Sequence, residues 1–129
     1  MKMRIISILI LAFTLISCNG QAQNGNSEKK VIGPKEFKAE MQKEDDYYLI
    51  DVRTPQEYKA GTIDGAKNLN IYDSNFSDQL DQLDNEKAVY VFCAVGGRSG
   101  QAAKVLENKG FKKIIDLKGG YNAWSRTNP

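Results

Sequence analysis

The residues best equipped for chemistry are Cys93 and the short loop after it, Ala94, Val95, Gly96, Gly97 and Arg98, which closes on Ser99. The preceding run Val89-Tyr90-Val91-Phe92 is apolar, β-branched and aromatic, the composition of a buried strand. Downstream, Gln101, Ala102, Ala103, Val105 and Leu106 carry an amphipathic helical pattern. A loop joining such a strand to such a helix turns backbone N–H groups, and the positive end of the helix dipole, into one concavity. Gly96 and Gly97 can take positive φ and let the loop curl tightly. A thiol beside that nest loses its proton readily, because the amides stabilise the anion. A lone cysteine after an apolar strand is otherwise a small buried hydrophobe. Its place at the carboxyl end of a strand, before Gly-Gly and a helix start, is where open α/β sheets bind ligands. The stretch therefore predicts a sulfur nucleophile.

Composition narrows the chemistry further. The chain has 129 residues, enough for one small domain with a core. It contains no histidine, which removes Cys-His and Ser-His catalysis and every histidine-ligated metal site. Its two cysteines lie far apart without other soft ligands, so no zinc site is expected, and no cofactor is called for. Lys and Arg number 18 against 16 Asp and Glu, a net charge of +2. Setting aside Lys2 and Arg4 at the amino end leaves 16 against 16. That balance argues against nucleic acid as a partner.

The elements that must position the loop read in order. Val31-Ile32 forms a short first strand, and Gly33-Pro34 opens a helix with Phe37 and Met41 facing inward. Tyr47 to Val52 is a strand, followed by Thr54-Pro55-Gln56-Glu57, a capping-box signature that starts a short helix ending near Gly61. A weaker strand signal covers Ala66 to Leu69, and Ser74 to Leu83 reads as a helix. Lys87 to Phe92 delivers Cys93, and the next helix runs from Ser99 to Lys109 and stops at Gly110. Lys113 to Leu117 is the last strand and Tyr121 to Trp124 a closing helical turn. Alternation at this spacing predicts an α/β fold, a mostly parallel sheet of about five strands with helices on both faces.

Cys93-x-x-Gly96-x-Arg98-Ser99 resembles the active-site loop of rhodanese-type sulfurtransferases. Asp51-Val52-Arg53, Gly61-Thr62-Ile63-Asp64-Gly65-Ala66 and Leu117-Lys118-Gly119-Gly120-Tyr121-Asn122-Ala123-Trp124 match the same family, in its order, from Val31 to Trp124. The resemblance implies a rhodanese-like fold over 31–127 and transfer of a sulfane sulfur through a Cys93 persulfide. The donor would be thiosulfate or a persulfide, the acceptor a thiol or cyanide, and the enzyme one of thiosulfate sulfurtransferase type; the oligomeric state is left open, with monomer the default. Ala94 to Ser99 would bind the substrate, while Asp51, Arg53 and Trp124 would support the site. Arg98 would either steer an anionic donor or pin the loop by a salt bridge, with Asp51 as a candidate partner. Ser99 is expected to cap the helix, and Gly119-Gly120 to form the tight turn that carries Trp124 to the edge of the domain. Thr62 stands where the family often carries histidine, and Ala94 and Val95 are uncharged where thiosulfate-preferring members often have polar or basic groups.

Two other functions use the same residues. A persulfide carrier for a partner protein needs the same loop. A cysteine-dependent phosphatase or arsenate reductase needs five residues between cysteine and arginine, whereas four separate Cys93 from Arg98.

The amino end reads as a targeting segment. Lys2 and Arg4 precede the apolar run Ile5 to Ile16, and Leu15-Ile16-Ser17-Cys18 resembles a bacterial lipoprotein signal. That resemblance implies a leader over 1–17, a lipid on Cys18 and a cell-envelope location, periplasmic or membrane-anchored. It leaves Cys93 as the sole thiol of the mature chain. Residues 18–30, rich in Asn, Gln, Gly and Ser, read as a flexible tether.

Overall fold

The computed structural model describes residues 26–127 and 129. The leader over 1–17, Cys18 and the tether up to residue 25 lie outside the described residues. Ten elements alternate: β1 (Glu28–Ile32), α1 (Pro34–Gln42), β2 (Tyr47–Asp51), α2 (Pro55–Ala60), β3 (Lys67–Asn68), α3 (Phe76–Asp81), β4 (Ala88–Phe92), α4 (Gly97–Asn108), β5 (Lys113–Leu117) and α5 (Gly120–Thr127). The five strands form one sheet in the order β1-β5-β4-β2-β3, and every pairing is parallel.

Strand β4 is buried along its whole length, as its unbroken apolar run dictates for a strand covered on both faces. Its side chains alternate between two cores. Val89, Val91 and Cys93 join Ile50, Ile114 and the inner faces of α3 and α4, with Phe76, Leu80, Ala102, Ala103 and Leu106. Tyr90 and Phe92 join Ile115, Leu117 and Phe37 and Met41 of α1, and Trp124 of α5 packs against that cluster. Phe37 is fully buried and meets Tyr90 edge-on at 5.2 Å, so α1 is fixed by an aromatic contact in addition to area.

Local signals set the helix starts. Pro34 and Pro55 occupy first-turn positions, where a missing N–H costs nothing. The capping box forms as the sequence implies: the Glu57 amide donates to Thr54 Oγ1, and the Thr54 amide donates back to Glu57 Oε2. Gly110, at φ 83°, follows the last turn of α4 and ends it.

Several boundaries differ from the sequence reading. The first strand starts at Glu28, so residues 28–30, read as tether, pair with β5 from Lys113 onward. β3 is two residues long, α3 is confined to Phe76–Asp81, and the closing turn is a full helix to Thr127. Helix α4 begins at Gly97, two residues earlier than expected, because Gly96 itself serves as N-cap at φ 118°.

Candidate active site

Strand β4 ends at Phe92 and presents Cys93 on the α4 side of the sheet, 1% exposed. The loop then turns sharply at Gly96, whose φ of 118° a side chain would strain. That turn brings the Gly96 amide back to donate to Cys93 Sγ at 3.0 Å. The Cys93 thiol donates to Ser99 Oγ at 3.5 Å, and the Ser99 hydroxyl donates to the Gly96 carbonyl at 3.2 Å. Burial alone pushes the thiol up. The Ser99 hydroxyl, which turns to donate to the sulfur once it is a thiolate, and the amides of Ser99, Gly96 and Val95 act against it, and the net result is a thiol below its ordinary value. Ser99 is thus not the helix cap. It lies inside the first turn of α4, fully buried, with its hydroxyl against the sulfur.

Two carbonyls of the loop are held from the far side. The Tyr121 amide donates to Cys93 O at 2.7 Å and the Asn122 amide to Ala94 O at 3.0 Å. Gly120 permits this approach: a Cβ there would stand 2.5 Å from Cys93 O and from the carbonyl carbon and oxygen of Ala94. The Gly119-Gly120 turn therefore docks the start of α5 on the cysteine loop, besides leading into the helix that packs Trp124 against the Phe37 core.

Arg98 does not reach Asp51. It forms a bidentate pair with Glu57 at 2.8 Å for both nitrogens, and its guanidinium carbon lies 6.0 Å from the Tyr72 ring centre. The pair holds the Glu57 carboxyl at about 2, through the Arg98 bonds against a counteracting burial, and raises Arg98 further. Asp51 instead takes Arg53 on both carboxylate oxygens, 2.7 Å at the closest, and Thr62 Oγ1 at 2.9 Å. Arg53 also donates to Gly61 O at 2.7 Å and lies 4.4 Å from the Tyr121 ring centre. This buried lattice runs from β2 to Tyr121, whose amide holds Cys93 O. Asp51, Arg53 and Thr62 therefore brace the loop without touching the sulfur.

Trp124 sits on the opposite core, edge-on to Phe37 at 6.1 Å. It borders a cavity of about 440 Å3 together with Met41, Tyr47 and Ile63, and no residue of the cysteine loop lines that cavity. Val95, at the tip of the loop, is 67% exposed. Among the described residues no group of three or more His, Cys, Asp or Glu is arranged to hold a metal ion.

Three site residues escaped the sequence reading. Glu57 was legible only as a cap and Gly120 only as a turn. Asp116 gave no signal beyond its place in β5. It lies 4% exposed on the Cys93 side of the sheet, its Oδ1 has no partner, and burial pushes its carboxyl up to about 6.

Comparison with known proteins gives the same outline. A family model described as the rhodanese-like domain matches residues 33–127. The uncharacterized protein YqhL of Bacillus subtilis is 37% identical over 95 residues, covering 74% of this chain and 71% of that protein. The crystal structure of a rhodanese-like domain protein from Staphylococcus aureus superposes with a TM-score of 0.65 at 29% identity, over 74% of this chain and 90% of that one. A human single-domain sulfurtransferase, TSTD1, shares the fold at a TM-score of 0.65 and 24% identity, over 74% and 95% of the two chains. With its parallel sheet, its cysteine loop at the end of β4 and a family match over most of its length, this chain belongs to the rhodanese-like domain family.

Proposed function

We propose that this protein is a sulfurtransferase in which Cys93 carries the sulfur as a persulfide. The observation that supports it most is the position of Cys93 Sγ, bonded by the Gly96 amide and the Ser99 hydroxyl and held below the ordinary thiol value. In the first half-reaction the Cys93 thiolate attacks the outer sulfur of the donor. The donor's S–S bond breaks, and sulfite leaves if the donor is thiosulfate, or a thiolate if it is a persulfide. In the second, a thiol or cyanide attacks the outer sulfur on Cys93 and the thiolate is regenerated. No general base is required once the thiolate exists, consistent with a chain that lacks histidine. The loop amides would stabilise the negative outer sulfur by charge-assisted hydrogen bonds.

Phosphatase chemistry is disfavoured by Arg98. A phosphate-binding loop needs its arginine to close over the oxyanion, whereas Arg98 is bidentate on Glu57. The intact mass of the protein after incubation with a sulfane donor tests the proposal. One sulfur gained on Cys93, absent in Cys93→Ser and removed by cyanide with release of thiocyanate, is the expected result. Absence of any gain from thiosulfate, polysulfide and persulfide would overturn it. We further infer from the leader that Cys18 bears a lipid and that the domain works at a membrane surface of the cell envelope.

A further inference from the structure

The Cys93 loop contains one cation, Arg98, and that cation is spent on a neighbouring helix. Glu57 meets both terminal nitrogens of Arg98 at 2.8 Å. It is not a mobile surface partner, because the Thr54 amide and Thr54 Oγ1 both hold its Oε2 at 3.0 Å. The next arginine, Arg53, is buried on Asp51 and the Gly61 carbonyl. A dianion arriving at the loop thus meets backbone amides and a neutralised ion pair. The rim is also apolar. Val31, Tyr72 and Val95 are the large apolar side chains that stand exposed among the described residues, and two of these three border this loop. Val95 is part of it, and the Tyr72 ring leans on Arg98.

We propose that Glu57 is a specificity-determining residue: by neutralising Arg98 it makes the site take sulfur from a persulfide on an apolar, weakly charged carrier in preference to the thiosulfate dianion. The inference rests on the sulfurtransferase reading and refines its donor. In the favoured reaction Cys93 thiolate bonds to the outer sulfur of R–S–SH, the S–S bond breaks, and R–S⁻ leaves with the electron pair. Cys93 retains the outer sulfur as a hydropersulfide. Val95 and Tyr72 supply the apolar surface that R covers.

The test compares initial rates of sulfur gain on Cys93, read by intact mass, for thiosulfate and for benzyl hydropersulfide at low and high salt. Glu57→Gln is the informative variant, since glutamine preserves the capping box while removing the charge. The ratio of the thiosulfate rate to the benzyl hydropersulfide rate is expected to rise about tenfold in Glu57→Gln, as a freed cation steers the dianion, and to fall back in high salt. An unchanged ratio in the folded variant overturns the proposal. Should the variant fail to fold, wild-type protein decides: thiosulfate loading nearly independent of salt supports the neutral loop, and a steep fall with salt overturns it. No sulfur gain from either donor is a different result, which removes the sulfurtransferase reading and this refinement with it.

Discussion

Asp116 shows how one side chain can work against the fold that carries it. Its carboxyl is buried beside α4, with Oδ2 4.0 Å from where a Cβ on Gly100 would stand, and Oδ1 has no partner. Burial raises it from 3.8 to about 6, so the folded protein holds this proton more tightly than the unfolded chain does. Below pH 3.8 both states are protonated and nothing is lost. Between about pH 4 and 6 the unfolded chain ionises first, and stability falls until the cost is complete above pH 6. A shift of that size corresponds to about 2–3 kcal/mol. Asp116→Asn should therefore gain stability relative to wild type by about that amount between pH 4 and pH 7.5, read from denaturant midpoints at the two pH values. A difference that does not change with pH would show the carboxyl to be solvated. Nothing in Lys113-Ile114-Ile115-Asp116-Leu117 announces this, because the burial comes from α4 and from the strands on either side. The same holds for Arg98. The sequence suggests Asp51 as its partner, and the pairing with Glu57 follows from how α2 and α4 pack, 41 residues apart in sequence.

At the level of elements, strands and helix order were legible because their signals are local. β4 is a continuous apolar run, Thr54-Pro55-Gln56-Glu57 a complete cap, and Gly110 a stop. The boundaries that shifted are those where tertiary contact decides. Glu28, Lys29 and Lys30 are charged and exposed, yet they extend β1 because β5 lies beside them with unpaired backbone groups. The cap expected at Ser99 lies three residues earlier, since Gly96, in a left-handed conformation, starts the helix in place of a hydroxyl side chain. The Gly119-Gly120 turn was visible, but its contact with the cysteine loop was not. That contact makes a sharp prediction. Gly120→Ala places a Cβ 2.5 Å from the Cys93 and Ala94 backbone at a φ of 59°, and should cost more than 2 kcal/mol and depress sulfur loading of Cys93 severalfold. Gly65→Ala, at φ 84° with no atom within 4 Å, should cost only about 1 kcal/mol and leave loading intact. Equal effects at the two positions in thermal unfolding and mass-read loading would refute the role given to Gly120.

For the whole molecule, the proposed envelope location rests on the leader over 1–17 and on Cys18, which lie outside the described residues. Without Lys2 and Arg4 the remaining 16 cationic and 16 acidic side chains cancel, so electrostatic adsorption to anionic lipid has little to act on. Among the described residues no helix is long and apolar enough to cross a membrane. In the lipoprotein reading proposed above, membrane attachment is through Cys18 and its acyl chains. Cys18→Ala should move the protein out of the lipid-modified membrane fraction, measured by fractionation with labelled fatty acid, and retention of the label would overturn the lipidation reading.

The amide clamp on Cys93 and Ala94 also has a consequence in time. A chain leaves the ribosome amino end first, and Cys93 emerges well before Tyr121 and Asn122, the donors that fix its loop. The groups that lower the thiol, Val95, Gly96 and Ser99, follow it closely in the chain, whereas the clamp on the loop carbonyls arrives only with α5, so a chain cut short before residue 120 carries the nucleophile on an unanchored loop. The clamp thereby makes α5, and not the strand that carries the cysteine, the element that completes the anchoring of the loop.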